Sequence, residues 1–580
     1  MKTILSQRGA QYVAKVGVFL IPVALVVGMA GCTGDDGSYT GPRGHPPSQN
    51  SPPQNLEIRT WYDLDALRNN LAGNHTLMND LDFTTPGYWE LASPISNQGE
   101  GWEPIGFVQV IFWDSPFLCS GGSHEDWYGL NGTFDGQGYE IRDLFTDRPL
   151  ERDVGLFGVV DEGGVIKDIG AVNVTVIGEY YIGGLVGRNR GTVSNSYSSG
   201  NVTGGQWGVG GLVGVNHGTV SNSYSTCNMI GNGAIGGLVG SNGFTVSNSY
   251  STGDVTGSYD IGGLVGVNHG TVSNSYYNYD EVLINGKSVI TIGALPNEDF
   301  DQWLAHDGFL DVNERLPQED GYYLIDDVRD FKQLLAFGQD DSLKFRLAND
   351  LDLGGDPNFY IPYLAAQFDG NGRKISNLSL NFDLVSPLGL FGYLTPGGKV
   401  TQVGAESVNI TGDGDIGGLV GGSYGTVSNS YSSGIVTGAT DVGGLVGLNG
   451  GTVSDSYSSV SVTGYWGVGG LVGTIESGGG TVSNSYSTGS VTGTEGVGGL
   501  VGEYHEGTVS NSFWDVQTSG QTRSARGTGK TTAQLKNIAT FSGAGWNIIA
   551  VASAGMRNPA YIWNIVTGVT YPFLSWQPLS

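Results

Sequence analysis

The chain has 580 residues, of which 99 are glycine and only 14% are charged, and it carries a net charge of −29. Glycine at this level without a three-residue period excludes collagen. It disfavours helical bundles, where each interior glycine costs about 1 kcal/mol relative to alanine, and the acidity disfavours nucleic-acid binding, which needs a clustered basic surface.

In chain order, Lys2, Arg8 and Lys15 precede an apolar run over residues 16–30. That run is too short for a comfortable membrane span and suits the core of a signal peptide. It ends in Met29-Ala30-Gly31-Cys32, which resembles the lipobox of bacterial lipoproteins, where the cysteine becomes a lipidated N-terminus. The expectation is a signal peptide over 1–31, lipidation at Cys32, and anchoring at an outer membrane or cell surface. Residues 32–54 are rich in Gly, Pro and Ser and read as a disordered tether. Cys119 and Cys227 are the other cysteines, and the sequence leaves their pairing open.

The body reads as a tandem pair, 55–290 and 321–580, joined by a linker over 291–320 that holds a short helix. FDGQGYEI at Phe134 matches FDGNGRKI at Phe368, and GLFG at Gly155 matches Gly389, both at an offset of 234 residues. A helix-like stretch before each NDLD, at Asn79 and Asn349, is suited to capping an open coil edge. The first unit carries an insertion near 83–133.

Within each unit GGLVG recurs, with its leucine at Leu185, Leu212, Leu238 and Leu264, then at Leu419, Leu445, Leu471 and Leu500. A GTVSNSYS-like string follows each copy. Three short segments rich in Val, Thr, Leu or Tyr per repeat predict three strands and three turns. The fold class is therefore all-β: a right-handed parallel β-helix, or β-solenoid, with two tandem units, short helical caps and about nine coils each. Asn195, Asn222, Asn248, Asn274, Asn429, Asn484 and Asn511 share one slot, with Asp455 as the exception. Asn189, Asn216, Asn242, Asn268 and Asn449 share a second. Both read as structural ladders.

These strings in this order resemble the GLUG-motif repeat proteins of bacterial and archaeal surfaces, over most of residues 56–545. The resemblance implies an exported surface β-solenoid, often adhesin-like, and brings no catalytic residues. Some relatives pair the repeats with a metallopeptidase, but His124-Glu125 and His505-Glu506 lack the second histidine of His-Glu-x-x-His.

No catalytic residue, metal ligand or cofactor is expected. Gly421-Gly422-Ser423-Tyr424-Gly425 fits a nucleophile pattern, but Ser423 stands where other repeats have a ladder asparagine. Gly527-Thr528-Gly529-Lys530-Thr531 lacks the first glycine of a phosphate loop. Asp135 and Asp369 are the best acids, and read as turn formers. The coils otherwise look nearly empty of acids at fixed slots. Tyr180, Trp207, Tyr259 and Trp466 precede the repeat leucine by five residues, a candidate aromatic stripe for stacking against sugar rings. The sequence thus points to a lipid-anchored, non-enzymatic surface adhesin or binder of an extracellular polymer. Its partners would be the membrane, through the lipid, and an extracellular polysaccharide or surface protein. The alternatives are a polysaccharide lyase or glycoside hydrolase on a β-helix scaffold, and a structural surface-layer spacer.

Overall fold

The computed structural model describes residues 54–113, 122–382 and 385–577. The expected signal peptide, Cys32, most of the tether and Cys119 lie outside the described residues. All described residues fall in one compact unit. It is a parallel β-solenoid in two tandem halves, nearly all β.

A coil of the first half runs Trp207–Gly210, Val213–Asn216, Thr219–Ser221, Tyr224–Ser225 and Asn228–Ile230. Each segment pairs in parallel with its equivalent in the next coil: Val209 with Ile235, Val213 with Val239, Thr219 with Thr245, Tyr224 with Tyr250 and Met229 with Val255. The three strands expected per repeat are therefore five short ones. GGLVG is not one strand, because the chain turns a corner at Gly211-Leu212 and hands Leu212 to the interior. The Thr-Val-Ser wall of the first half has eight strands, one fewer than the nine coils expected.

The interior explains the repeat. Leu185, Leu212, Leu238 and Leu264 stack fully buried, as do Val193, Val220 and Val246. Burial of each such side chain contributes about 1.5–3 kcal/mol. Buried serines carry the turn that follows. The amide of Ser196 donates to Ser223 Oγ (3.1 Å), Ser223 to Ser249 Oγ (3.1 Å) and Ser249 to Ser275 Oγ (3.2 Å). The last serine of SNSYS reaches inward, where Ser198 Oγ donates to the carbonyl of Gly211 at 2.7 Å.

The two asparagine slots differ in kind. Asn195, Asn222, Asn248 and Asn274 sit at a turn in left-handed backbone, φ 44–49°. Asn429, Asn484 and Asn511 repeat this, and Asp455 has the same φ of 47°, which explains its tolerance. Side-chain contacts in that slot are partial. Asn274 Nδ2 donates to Asn248 Oδ1 at 2.9 Å, whereas Asn195 Nδ2 donates to Asp168. The continuous buried amide ladder lies in the other slot: Asn189 to Asn216, Asn216 to Asn242 and Asn242 to Asn268, each 2.8 Å. In the second half that slot holds Leu394, Ser423, Asn449 and Ile475, and the ladder is broken.

Helices sit at the coil ends. Trp61–Asp65 begins in a capping box between Thr60 and Asp63 and buries Trp61 and Leu64. Val328–Lys332, capped by Asp327, and Leu334–Phe337 open the second half. Asn297–Ala305 closes the first half by setting Trp303 against Tyr250 and Tyr276. The insertion near 83–133 contains the antiparallel hairpin Phe107–Trp113 and Gly122–Tyr128. At the seam between the halves, Gln339 takes the place of a coil. Its Oε1 accepts from Ser275 N (3.2 Å) and its Nε2 donates to Ser275 O (3.1 Å). The Tyr363 hydroxyl accepts from Val272 N at 3.4 Å.

Candidate functional site

In nine of the described coils the residue before an apolar-Gly step at the Gly-Leu corner adopts left-handed backbone. This holds at Asp153, Tyr181, Gly208, Ala234 and Asp260, then at Asp415, Asp441, Gly467 and Gly496. The residues share a slot, since Ile182 pairs with Val154, Ile235 with Ile261 and Ile416 with Val442. Acids therefore do recur at a fixed position, contrary to the sequence reading. Because the chain turns at the Gly-Leu corner, this slot faces the residue seven positions on. A Cβ on Gly467 would stand 2.6 Å from Thr474 Oγ1, and one on Gly496 would stand 3.1 Å from Glu503 Oε2. The two slots form the walls of a groove on the outside of the coils.

The groove differs between the halves. In the first, Arg188 and Asp153 are both nearly buried and form an ion pair at 2.9 Å. The guanidinium lies between the rings of Trp127 and Tyr181, 4.7 and 4.4 Å from their centroids. Trp127 comes from the inserted hairpin, which thus covers this stretch. In the second half the groove is lined by oxygen. Asp441 Oδ1 and Thr474 Oγ1 converge on the space above Gly467, 2.8 and 2.6 Å from the point a Cβ would occupy. Both atoms are buried and lack a hydrogen bond of good geometry, as does Glu503 Oε2. Thr474 is 2% exposed. Tyr424 and Glu476 meet over Gly450, and the Tyr393 ring stacks 5.3 Å from that of Tyr424.

Asp415 and Asp441 lie on adjacent coils. Burial, then the charges of Asp441 and Asp260, pushes the Asp415 carboxyl well above the usual range. Burial also pushes Asp441 up to about 6, with Glu503 adding to the rise and the Thr474 hydroxyl opposing it. The hydrogen bond between them raises Asp415 and lowers Asp441, so Asp415 is the member that holds the proton. A raised carboxyl stabilises the fold below its unfolded pKa, and that contribution is lost as pH rises through the folded value of about 6. Asp441→Asn is expected to stabilise the protein at pH 8, by about 1–3 kcal/mol, and to leave stability at about pH 3, below the unfolded pKa, unchanged. Thermal melts at the two pH values check this, and an equal shift at both would contradict it.

The structure places the sequence candidates as follows. Tyr180, Trp207 and Tyr259 begin the strands Tyr180–Gly183, Trp207–Gly210 and Tyr259–Gly262, all half-buried, along one lip of the first-half groove. Tyr181 bridges them, 6.0 Å from Tyr180 and 5.9 Å from Trp207, while the Tyr259 ring lies over Gly233. Trp466 occupies the same slot in the second half, between Thr440 and Glu495. Ser423 is fully buried in its strand and cannot present a nucleophile. Asp135 pairs with Lys167 at 2.5 Å and Asp369 with Arg346 at 3.0 Å, and each accepts a turn amide. Cys227 is free and buried, and burial pushes its thiol up to about 11. Among the described residues no group of three or more His, Cys, Asp or Glu is arranged to hold a metal ion, and no helix is long and apolar enough to cross a membrane. The acid pair was missed, although the strings DIGG at Asp260 and Asp415 and DVGG at Asp441 signal it.

The GLUG motif model matches residues 178–203 and 231–256. Halomucin of Haloquadratum walsbyi is 32% identical over 154 residues, which are 26% of this chain and 2% of that protein. A candidate Gly-rich membrane protein of Evansella cellulosilytica is 30% identical over 151 residues, 24% of this chain and 14% of that one. The chain thus spans only a small part of either curated relative. A solved structure of a candidate immunoglobulin A1 protease from Bacteroides ovatus aligns with a TM-score of 0.34 and 17% identity, covering 45% of this chain and 94% of that one.

Proposed function

We propose that this GLUG-repeat chain is a lipid-anchored, extracellular β-solenoid that binds an extracellular polysaccharide through its outer groove, as an adhesin or polymer-binding protein. The lipobox-like Met29-Ala30-Gly31-Cys32 and the tether support the anchor. The relatives' names, a halomucin and a membrane protein, support a surface location. The observation that carries the binding reading is the convergence of Asp441 Oδ1 and Thr474 Oγ1 on the space above Gly467, on the same wall of coils as the stacked rings of Tyr393 and Tyr424. Sugar hydroxyls hydrogen-bond to oxygens so placed, and sugar ring faces suit aromatic rings. The test is retention of the purified protein on a panel of neutral and uronic-acid polysaccharides. Binding weakened at least about tenfold by Thr474→Val supports the reading. No retention on any polysaccharide overturns it.

A second reading rests on the Asp415–Asp441 pair. Two neighbouring carboxyls, one held protonated and the other ionised, are the pairing that acid–base glycoside hydrolysis uses. Release of reducing ends from a bound polysaccharide, abolished in Asp441→Asn, would favour the hydrolase. Binding without release favours the adhesin.

A further inference from the structure

The tandem halves carry the same tyrosine ladder, but only one of them is covered. In the first half Tyr197, Tyr224 and Tyr250 stack with ring centroids 4.8 Å apart and planes within 6°. In the second, Tyr431, Tyr457 and Tyr486 stack at 5.1 and 5.0 Å. Each ladder is closed at its far end by a helical segment bearing a tryptophan: Trp303 at 5.3 Å from Tyr276, and Trp546 at 6.0 Å from Phe513. Beyond Trp546 the chain continues into a closing module with strands Ile548–Ala550, Trp563–Ile565 and Phe573–Leu574. That module returns along the second ladder. Trp563 lies 6.2 Å from Tyr457, Trp576 lies 5.7 Å from Tyr431 at 30°, and Gln577 Nε2 donates to the Tyr457 hydroxyl at 2.7 Å. Tyr431 is only 2% exposed as a result.

The first half has no such module, because after its closing helix the chain passes into the second half. Tyr197 and Tyr224 remain partly exposed, and among the described residues no ring other than those of the ladder packs on them. Beside Tyr197 lies an open cleft of about 510 Å³, lined by Gln137, Gly138, Asp168, Gly170 and Asn195 among others. Each of these corresponds, at the 234-residue offset, to a residue around the seat of Trp576: Asn371, Gly372, Gln402, Gly404 and Asn429. Trp576 packs on Gly372, its indole Cε3 3.5 Å from the point a Cβ would occupy. The tyrosine is held alike in both halves. Its ring lies against Gly170 or Gly404, and its hydroxyl donates to Glu140 or Glu406.

We infer that the cleft at Gly138 and Tyr197 is a docking site for a tryptophan-bearing segment of a partner polypeptide, seated as Ser575-Trp576-Gln577 is seated in the second half. The second half supplies the template: an indole over the glycine and against the tyrosine ring, with a following amide on the next tyrosine hydroxyl. This site is distinct from the polysaccharide groove and stands independently of it.

The probe is a fluorescein-labelled peptide of residues 570–580, titrated into the purified protein and read by anisotropy. Saturable one-to-one binding is expected. Tyr197→Phe should bind as wild type does, because the ring is kept. Tyr197→Ala, and a probe carrying Trp576→Ala, should each weaken binding at least about tenfold. The altered probe keeps the test valid even if Tyr197→Ala disturbs the coil. No saturable binding, or binding indifferent to both changes, overturns the inference. So does a polysaccharide that occupies the Tyr197 cleft in place of the peptide, or a dimer in sedimentation whose second copy fills it.

Discussion

Gly237→Val is expected to destabilise the solenoid by about 3 kcal/mol or more, the upper end of what overpacking a core costs. Gly237 is the second glycine of a GG pair. A Cβ there would collide with the carbonyl oxygen of Gly263 in the next coil and stand 2.6 Å from Ser251 Oγ. Neither neighbour can yield cheaply. Ser251 Oγ donates to that same Gly263 carbonyl at 2.6 Å, and the coil above is fixed by the Val239–Val265 and Thr245–Thr271 pairings. The same meeting of a glycine, a serine and the next coil's carbonyl recurs at Gly211 and Gly444. The glycine excess is therefore a packing requirement at the corner where coils approach most closely. Gly205→Ala is the control: its Cβ would meet nothing nearer than 3.6 Å, and it should fall within about 0.5 kcal/mol of wild type. Chemical denaturation of both variants checks the pair. Equal stability would show that the GG corner does not set the coil spacing.

What could be read from the sequence, and what could not, follows from how each feature is encoded. The stacked Leu, Val, Tyr and Asn positions were legible because the same residue recurs at the same slot, and a parallel coil is the arrangement that puts like on like. The internal duplication was legible from one shared offset across FDG, GLFG and GGLVG. The groove was not. Its inner slot is defined by left-handed backbone, which Asp153, Tyr181, Gly208, Ala234 and Asp260 all adopt, so its occupants look unrelated in a row of letters. Only the repetition of Asp at 260, 415 and 441 hinted at it. The asparagine ladders were legible as ladders, but not which one is buried. That depends on the corner after Val213–Asn216 facing the interior while the turn at Asn222 faces solvent. The stripe of Tyr180, Trp207 and Tyr259 was placed on neighbouring coils by counting, yet counting could not supply Tyr181, which joins the rings and carries the Arg188 contact.

The insertion near 83–133 also acquires a physical role. Its hairpin brings Trp127 over Arg188 and Arg190, at 4.7 and 4.6 Å, on the outside of the first coils. The second half lacks this segment, and its groove holds Asp441 and Thr474 where the first half has the Asp153–Arg188 ion pair. One half of the duplication has thus closed its groove with a hairpin and left its tyrosine ladder bare. The other has covered its ladder with the closing module and has no hairpin over its groove. The two candidate binding surfaces fall on opposite halves for that reason.

Arg188→Ala is expected to cost about 3–5 kcal/mol at pH 7, the usual loss when one partner of a buried ion pair is removed. Asp153 is 3% exposed and Arg188 is 7% exposed, so water cannot replace the lost partner. Burial already pushes the Asp153 carboxyl up, and Arg188 is the main force opposing it. Without the guanidinium the carboxyl takes up a proton, so the deficit should shrink as the pH is lowered towards 5. The repeats themselves supply the rescue. The slot of Asp153 holds alanine at Ala234, and the slot of Arg188 holds valine at Val159, Val215 and Val267. The double variant Asp153→Ala with Arg188→Val should therefore recover to within about 1.5 kcal/mol of wild type, as replacement of a buried ion pair by packed apolar residues commonly does. The hairpin gives a local readout. Trp127 loses one of its two cationic partners in both variants, Arg190 remaining, a contact worth about 1–2 kcal/mol when desolvated, so hydrogen exchange over Gly122–Tyr128 should quicken even in the rescued protein. A single variant as stable as wild type would mean that the pair is not buried against water. A double variant no better than the single would mean that the guanidinium acts chiefly through its two rings.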